Sequence, residues 1–208
     1  DRVIYLGHLV YSLRNCEGVD YYFESLKTKD LKSCYWELRV ANVFLNSEYK
    51  VKFVKESGEK KSDFDFVVQK ENYIFYVEAK SRDNFNPKNE NTLRNTLNEA
   101  RKQLPKQANG IIYISIPLEW IHMENAEDKI STVIRKFLHE TRRVCYVVLE
   151  WDDWIKVDSG RLKIAKLLIY DNVNIASRPP LYLNIESRNH YMNLFTPSYI
   201  VDIAKEIT

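Results

Sequence analysis

Two short β-type runs that follow one another almost directly place the strongest constraint on the fold of this chain. Residues 64–69 and 73–80 are rich in aromatic and β-branched side chains, and a short polar connection separates them. This composition around a tight connection predicts a β-hairpin, whose two strands pair antiparallel. The hairpin therefore defines one part of a sheet to which the rest of the chain must add.

Hydrophobic periodicity predicts the elements around the hairpin. They are a helical lead-in over residues 1–30, a helix at 31–45, a strand at 49–54, a helix at 93–104 that Pro105 stops, a buried strand at 111–116, a helix at about 130–141, strands at 144–149 and 162–170, and a short closing helix from Ser198.

The order of these elements predicts the fold class. It is an α/β fold with a mixed central β-sheet that contains the antiparallel hairpin and is flanked by helices. Helical crossovers join the later strands, and such connections favour parallel pairing. We expect residues 1–30 to form the N-terminal lead-in and residues 31–208 to form the α/β domain with a C-terminal extension.

Composition narrows the function classes. The 208 residues include 31 Lys and Arg and 29 Asp and Glu, which gives a formal charge of +2. This overall charge does not indicate a polyanionic partner, so evidence for such a partner must come from local basic patches. Apolar runs are too short to span a bilayer, so we expect no membrane partner. The three scattered cysteines indicate a reducing compartment and a cytoplasmic location. Residue 1 is Asp and no signal-like segment follows, so we expect a trimmed or partial chain.

Common nucleotide and zinc motifs do not occur in the sequence. The four histidines lack HxH and HExxH spacing, and the five glycines form neither GxxxxGK[ST] nor GxGxxG. Zinc hydrolysis, nucleotide hydrolysis and dinucleotide binding are therefore excluded as interpretations.

Glu37 is the most informative residue of the helix at 31–45. It lies in line with Val40, Ala41 and Phe44 at i+3, i+4 and i+7, so a carboxylate occupies the core-facing stripe. A buried carboxylate needs a cation, a donor or a metal, and we expect its partner to come from the sheet. The alternative is a partly exposed Glu37 paired with Arg39 or another cation.

The hairpin carries further acids on one face. Alternation puts Glu78 and Lys80 on the same face of the second strand, and Asp63 and Asp65 on the matching face of the first. A connection at residues 69–72 would place Asp63 opposite Glu78, with Asp65 one diagonal step away. Two carboxylates beside a lysine form the kind of constellation that a divalent metal stabilises.

These residues resemble the core of the PD-(D/E)XK, or restriction-endonuclease-like, nucleases. Residues 62–68 (SDFDFVV), 77–80 (VEAK) and Glu37 resemble the family's aspartate strand, Glu-x-Lys strand and helical glutamate, over about a third of the chain. Ser62 stands where the family has proline. The ligand aspartate remains open: Asp63 has the PD-like position, whereas the 13-residue step to Glu78 selects Asp65, which we favour slightly.

The resemblance implies a metal-dependent nuclease. Asp65 or Asp63, Glu78 and the Ala79 carbonyl would hold Mg²⁺, with Mn²⁺ as a substitute, and Glu37 would bind directly or through water. Lys80 would orient the attacking water and compensate phosphate charge. Gln103 resembles the polar residue that family members carry on the next helix, although a solvated Gln is an equal alternative.

Basic residues near the Glu-x-Lys strand indicate a nucleic-acid partner, most simply DNA. They are Arg82, Arg94, Arg101 and Lys102, and we expect them to concentrate positive charge near the metal. A second basic set around Arg142 and Arg143 is read first as complementing a helix C-terminus. A homodimer remains open. The rival functions are a catalytically inactive nucleic-acid-binding or protein-interaction module of the same fold, or an accidental match on an unrelated scaffold.

Overall fold

A computed structural model describes residues 2–55, 63–81, 90–157 and 160–184 of the chain. The helices are Arg2–Leu13 (α1), Val19–Ser25 (α2), Leu31–Asn46 (α3), Glu90–Gln103 (α4), Leu118–Ile121 (α5) and Ala126–His139 (α6). The strands are Lys50–Phe53 (β1), Phe66–Lys70 (β2), Tyr73–Ser81 (β3), Gly110–Ser115 (β4), Val144–Val157 (β5) and Gly160–Asp171 (β6).

The six strands form one sheet in their sequence order. The first three pair antiparallel, β3, β4 and β5 pair parallel, and β6 returns antiparallel to β5. The predicted α/β class with a mixed sheet and an antiparallel hairpin is therefore confirmed. Parallel pairing occurs where the helices α4 and α6 carry the chain back between strands, as the crossover argument requires.

Helices cover both faces of the sheet. One hydrophobic cluster joins the N-terminal helices to β1–β5 through residues such as Leu9, Phe44 and Phe75. The other joins α4 and α6 to the opposite face through residues such as Leu97 and Ile134. The N-terminal helices thus contribute to the same core as the sheet.

The helix α3 is enclosed on most sides because α1 packs over it while its other side contacts the sheet. It begins where the Asp30 side chain accepts a hydrogen bond from the Ser33 N–H, a typical N-cap. The turn before α2 depends on Gly18, which has φ 77° and whose added Cβ would collide with the Phe53 carbonyl oxygen. These contacts fix α2 and α3 beside the end of β1.

The hairpin register differs from the prediction. Lys70 pairs with Tyr73 and Phe66 with Val77, so only two residues form the connection, with Glu71 at φ 53°. The predicted four-residue connection was wrong by two positions along the ladder. Because the shift is an even number of residues, it keeps the same side chains on each face. Asp65, rather than Asp63, is the residue in line with Glu78.

Other differences lie at the edges of elements. The short helix α5 was not predicted, and β5 continues to Val157 instead of ending at Leu149. The closing helix predicted from Ser198 lies outside the described residues. Among the helices that the structure describes, none combines the length and apolar character needed to cross a bilayer.

Candidate active site at the carboxyl end of the hairpin

Asp65 and Glu78 meet where pairing between β2 and β3 ends. The Asp65 N–H donates to the Val77 carbonyl at 3.2 Å, and the Asp65 Oδ2 accepts from the Ala79 N–H at 2.7 Å. The Asp65 side chain therefore accepts the hydrogen bond that the Ala79 N–H would otherwise donate to a main-chain carbonyl of β2. This local arrangement holds the Asp65 carboxylate against the backbone of the Glu-x-Lys segment.

The Ala79 carbonyl faces the same edge. Within a strand, the N–H and C=O of one residue point to the same neighbouring strand, and the Ala79 N–H points to Asp65. Since β2 begins only at Phe66, its ladder does not reach this position. A main-chain oxygen and a carboxylate thus lie together at the open end of the hairpin.

Glu78 is 1% exposed and contacts the Lys80 ammonium through Oε1. Its second oxygen, Oε2, is buried and has no hydrogen-bond partner in the part of the chain that the structure describes. Burial is the largest cause that raises the pKa of Glu78 to about 7, and the charge of Glu37 adds to it, while Lys80 opposes the shift. A buried carboxylate with an unmatched oxygen is costly unless a further cation or donor reaches it.

Asp65 experiences the same crowding. Burial raises the pKa of Asp65 well above its usual range, and the charges of Glu78 and Glu37 raise it further. The Ala79 N–H and Lys80 counteract this shift. Three acids and one lysine therefore act on each other electrostatically, so the predicted set of Glu37, Asp65, Glu78 and Lys80 is close together in the fold.

Glu37 is buried, and its Oε2 contacts two side chains of the N-terminal region. The Tyr22 hydroxyl donates to Glu37 Oε2 at 2.8 Å, and the Lys29 ammonium lies 3.7 Å from the same oxygen. Burial and the charge of Glu37 raise the pKa of Tyr22 above its usual range, so Tyr22 stays a hydrogen-bond donor. Two partners of Glu37 thus come from α2 and the α2–α3 connection, while its charge also acts on Asp65 and Glu78 of the sheet.

Tyr22 and Lys29 could not be found from the sequence. Lys29 also lowers the pKa of Glu78, which makes it a second cation of the site beside Lys80. Neither residue stands at a motif spacing from Glu37, and only the packing of α2 brings them there. An aromatic cluster in a short helix carries no sequence signal for a contact of this kind.

Arg39 points elsewhere on the sheet. Its guanidinium lies 2.5 Å from Glu150 and 2.6 Å from Asp152, and the Tyr113 hydroxyl donates to Glu150 Oε2 at 2.8 Å. The alternative pairing of Glu37 with Arg39 is therefore replaced by pairing with Lys29. This second network fastens α3 to β5.

Asp63 lies two residues before Asp65, outside β2, and is half-buried. Asp65 directly precedes Phe66, which pairs with Val77, and its Oδ2 accepts from the Ala79 N–H at 2.7 Å. The geometry therefore favours Asp65 as the acid opposite Glu78.

The oxygen donors of the site fit a hard divalent cation that keeps water at its remaining positions. Within residues 2–55, 63–81, 90–157 and 160–184, no three or more His, Cys, Asp or Glu side chains form a group that could hold a metal. The set that fits is two carboxylates, Asp65 and Glu78, plus the Ala79 carbonyl, with the remaining positions left to water. The unmatched Glu78 Oε2 and the raised pKa values of both acids are the features that a divalent cation would relieve.

The predicted nucleic-acid residues that the structure describes all lie on α4. Arg82 lies outside the described residues. Arg94 is exposed near the start of α4, and its guanidinium is 4.0 Å from Glu140. Arg101 and Lys102 stand in the last turn of α4, with Gln103 half-buried beside them.

The crossover separates the last turn of α4 from Lys80. The helix α4 returns the chain from the end of β3 to the start of β4, whose first residue, Gly110, pairs with Tyr76. Lys80 pairs with Ile114, four residues further along, or about 13 Å at the usual strand rise. Arg101 and Lys102 are thus at the opposite end of the parallel strands from Lys80, further from it than the expectation of positive charge concentrated near the metal implied.

Comparisons with known proteins add no family assignment. A scan against protein-family models finds no match, and a search of curated proteins finds no matching relative.

Proposed function

We propose that this chain is a metal-dependent nuclease that hydrolyses phosphodiester bonds, most simply in DNA, with a site of the PD-(D/E)XK type. The observation that carries the proposal is the pairing of Asp65 with the Glu78-Ala79-Lys80 segment: a carboxylate on the Ala79 N–H, a second buried carboxylate with an unmatched oxygen, and a lysine on that carboxylate.

Asp65, Glu78 and the Ala79 carbonyl would hold Mg²⁺, with Mn²⁺ as a substitute. When bound, such a cation supplies Lewis-acid polarisation of the scissile phosphate and a water of lowered pKa. The Lys80 ammonium would orient the attacking water and balance negative charge on the phosphate. The expected products are a 5′-phosphate and a 3′-hydroxyl.

Glu37 would act beside this set without direct ligation. Its Oε2 already accepts from Tyr22 and lies near Lys29, so it is held in place by protein groups. From there it can accept a hydrogen bond from a water at the site. Tyr22 and Lys29 are positioning residues for Glu37 in this scheme.

A second candidate function is a non-catalytic member of the same fold that binds nucleic acid or a protein. The observation that favours it is the existing pairing of Lys80 with Glu78 and of Lys29 with Glu37, which partly neutralises both acids without a metal. This function predicts binding that survives Lys80→Ala and no metal-dependent turnover.

The test is cleavage of plasmid and single-stranded DNA with Mg²⁺ or Mn²⁺, against EDTA. Lys80→Ala should lower the rate by at least about a hundredfold, because it removes a charge that acts on the reacting groups. Lys50→Ala, an exposed lysine of β1, is the matched control and should cut normally. Cleavage that continues unchanged after Lys80→Ala or Glu78→Gln would exclude the proposed site, and absence of cleavage by folded protein would favour the binding module.

A further inference from the structure

A strongly basic pocket lies away from the candidate active site. It has a volume of about 300 Å³ and lies between the C-terminal end of α4 and the connection from α6 to β5. Its cations are Arg101, Lys102, Lys106, Arg142 and Arg143. Glu140 is the single acid among the described residues that line it.

Two of the five cations already have structural partners. The Arg143 guanidinium donates to the Arg101 and Leu104 carbonyl oxygens at 3.4 and 3.2 Å, which satisfies the end of α4. The Arg101 guanidinium lies 5.7 Å from the centre of the Phe137 ring. These contacts hold the pocket wall in place.

The other three cations are exposed and available. Lys102, Lys106 and Arg142 have no hydrogen bond or ion pair with a residue that the structure describes. Two helix C-termini near the pocket contribute roughly half a negative charge each, and Glu140 contributes one more. The five cations therefore leave a net charge of roughly +3 in the pocket. This positive charge exceeds what is needed to balance the two helix ends and Glu140.

The position of the pocket suits an extended polyanion. The Gly110 N–H donates to the Arg143 carbonyl at 2.9 Å, so the pocket begins where β4 begins, and Lys80 lies about 13 Å further along the sheet. That distance corresponds to about four base-pair steps of duplex. The helix α4 runs between the two places, and the Arg94 guanidinium, 4.0 Å from Glu140, lies at the edge of the pocket.

We propose that this basic pocket binds backbone phosphates of a nucleic acid several nucleotides away from the bond positioned at Lys80. The proposal rests on the proposed function for what happens at Lys80, but binding in the pocket is measured without it. Phosphate contacts of this kind fix register and add affinity without reading sequence.

The test is binding of a labelled duplex and a labelled single strand in EDTA, by fluorescence anisotropy over a range of salt concentrations. Lys102→Glu/Arg142→Glu should weaken binding by at least about tenfold, and the slope of log affinity against log salt should fall by about 2. The matched control is Lys50→Glu/Arg14→Glu, which changes the charge equally at exposed sites away from the pocket and should leave the slope unchanged. Lys106→Glu alone provides a milder pocket variant whose slope should fall by about 1.

Three results would overturn the proposal. They are equal binding by the pocket and control variants, absence of binding by the wild-type protein, and specific binding of inorganic phosphate in the pocket while the pocket variant retains nucleic-acid affinity. A loss of binding in the pocket variant combined with no metal-dependent cleavage by wild type would support the pocket and refute the nuclease. Metal-dependent cleavage by wild type combined with unchanged binding in the pocket variant would support the nuclease and refute the pocket.

Discussion

Replacing Glu78 by Gln should stabilise the metal-free protein, because the fold keeps a carboxylate in a place that disfavours its charge. Glu78 is 1% exposed, and burial raises its pKa from an ordinary 4.5 to about 7. Between pH 4.5 and pH 7, Glu78 therefore holds a proton in the folded chain that it has released in the unfolded chain. Stability should therefore fall as the pH rises from 4.5 to 7, and the full penalty should be present above pH 7.

The size of the effect follows from the shift. A difference of about 2.5 pKa units corresponds to about 3 kcal/mol, at 1.36 kcal/mol for each unit. Gln has the same shape and no charge, so Glu78→Gln should be about 2–3 kcal/mol more stable than wild type at pH 8, and less than about 1 kcal/mol more stable at pH 5. The Lys80 side chain, 25% exposed, can turn to solvent when its partner is lost.

Urea unfolding in EDTA at pH 5 and pH 8 measures this difference as a change in midpoint at constant slope. Glu24→Gln is the matched control, since Glu24 is exposed on α2, and its stability should follow wild type at both pH values. A Glu78→Gln protein that is no more stable than wild type at pH 8, or whose advantage is the same at pH 5, would refute the reasoning.

Three further predictions concern the supports of the site. Tyr22→Phe removes the donor to Glu37 and should cost about 1–3 kcal/mol of unfolding free energy, with a partial loss of cleavage; retained stability and full activity would show that the hydrogen bond is unimportant. Arg39→Met should lower the unfolding free energy by about 3–5 kcal/mol, because it leaves Glu150 buried without its cation. Thermal unfolding measures this loss, and a loss below about 1 kcal/mol would contradict the prediction. Gly110→Ala should destabilise by at least about 1 kcal/mol, because the new Cβ would collide with a main-chain oxygen of the α6–β5 connection, and an unchanged urea midpoint would contradict this.

The faces of the hairpin were predictable, but its register was not. Alternation is a local property of a strand, so the order of residues alone is enough to place Glu78 and Lys80 on one face. The register depends on a two-residue turn with Glu71 at φ 53°, and Glu-Asn lacks the Asn-Gly or Asp-Gly signal that announces such turns. Both Asp63 and Asp65 therefore remained candidates, because the sequence does not show the register that distinguishes them.

Tertiary packing determined the remaining differences. Glu37 could be assigned to the core from its helical stripe, yet its partners Tyr22 and Lys29 depend on how α2 lies against α3. The cations of α4 follow the Glu-x-Lys strand closely in sequence, but the helical crossover moves the last turn of α4 to the other end of the sheet. Proximity along the chain was a poor guide to proximity in space at that point.

The most direct test of the proposed metal-dependent site is a calorimetric titration of Mn²⁺ into the protein at pH 8. Wild type and Asp63→Asn should bind the metal with similar affinity, whereas Asp65→Asn and Glu78→Gln should lose at least about tenfold in affinity, because each removes a charged ligand. Equal binding by Glu78→Gln and wild type, or no binding by any of the folded proteins, would contradict the assignment of Asp65 and Glu78 as the metal-holding pair.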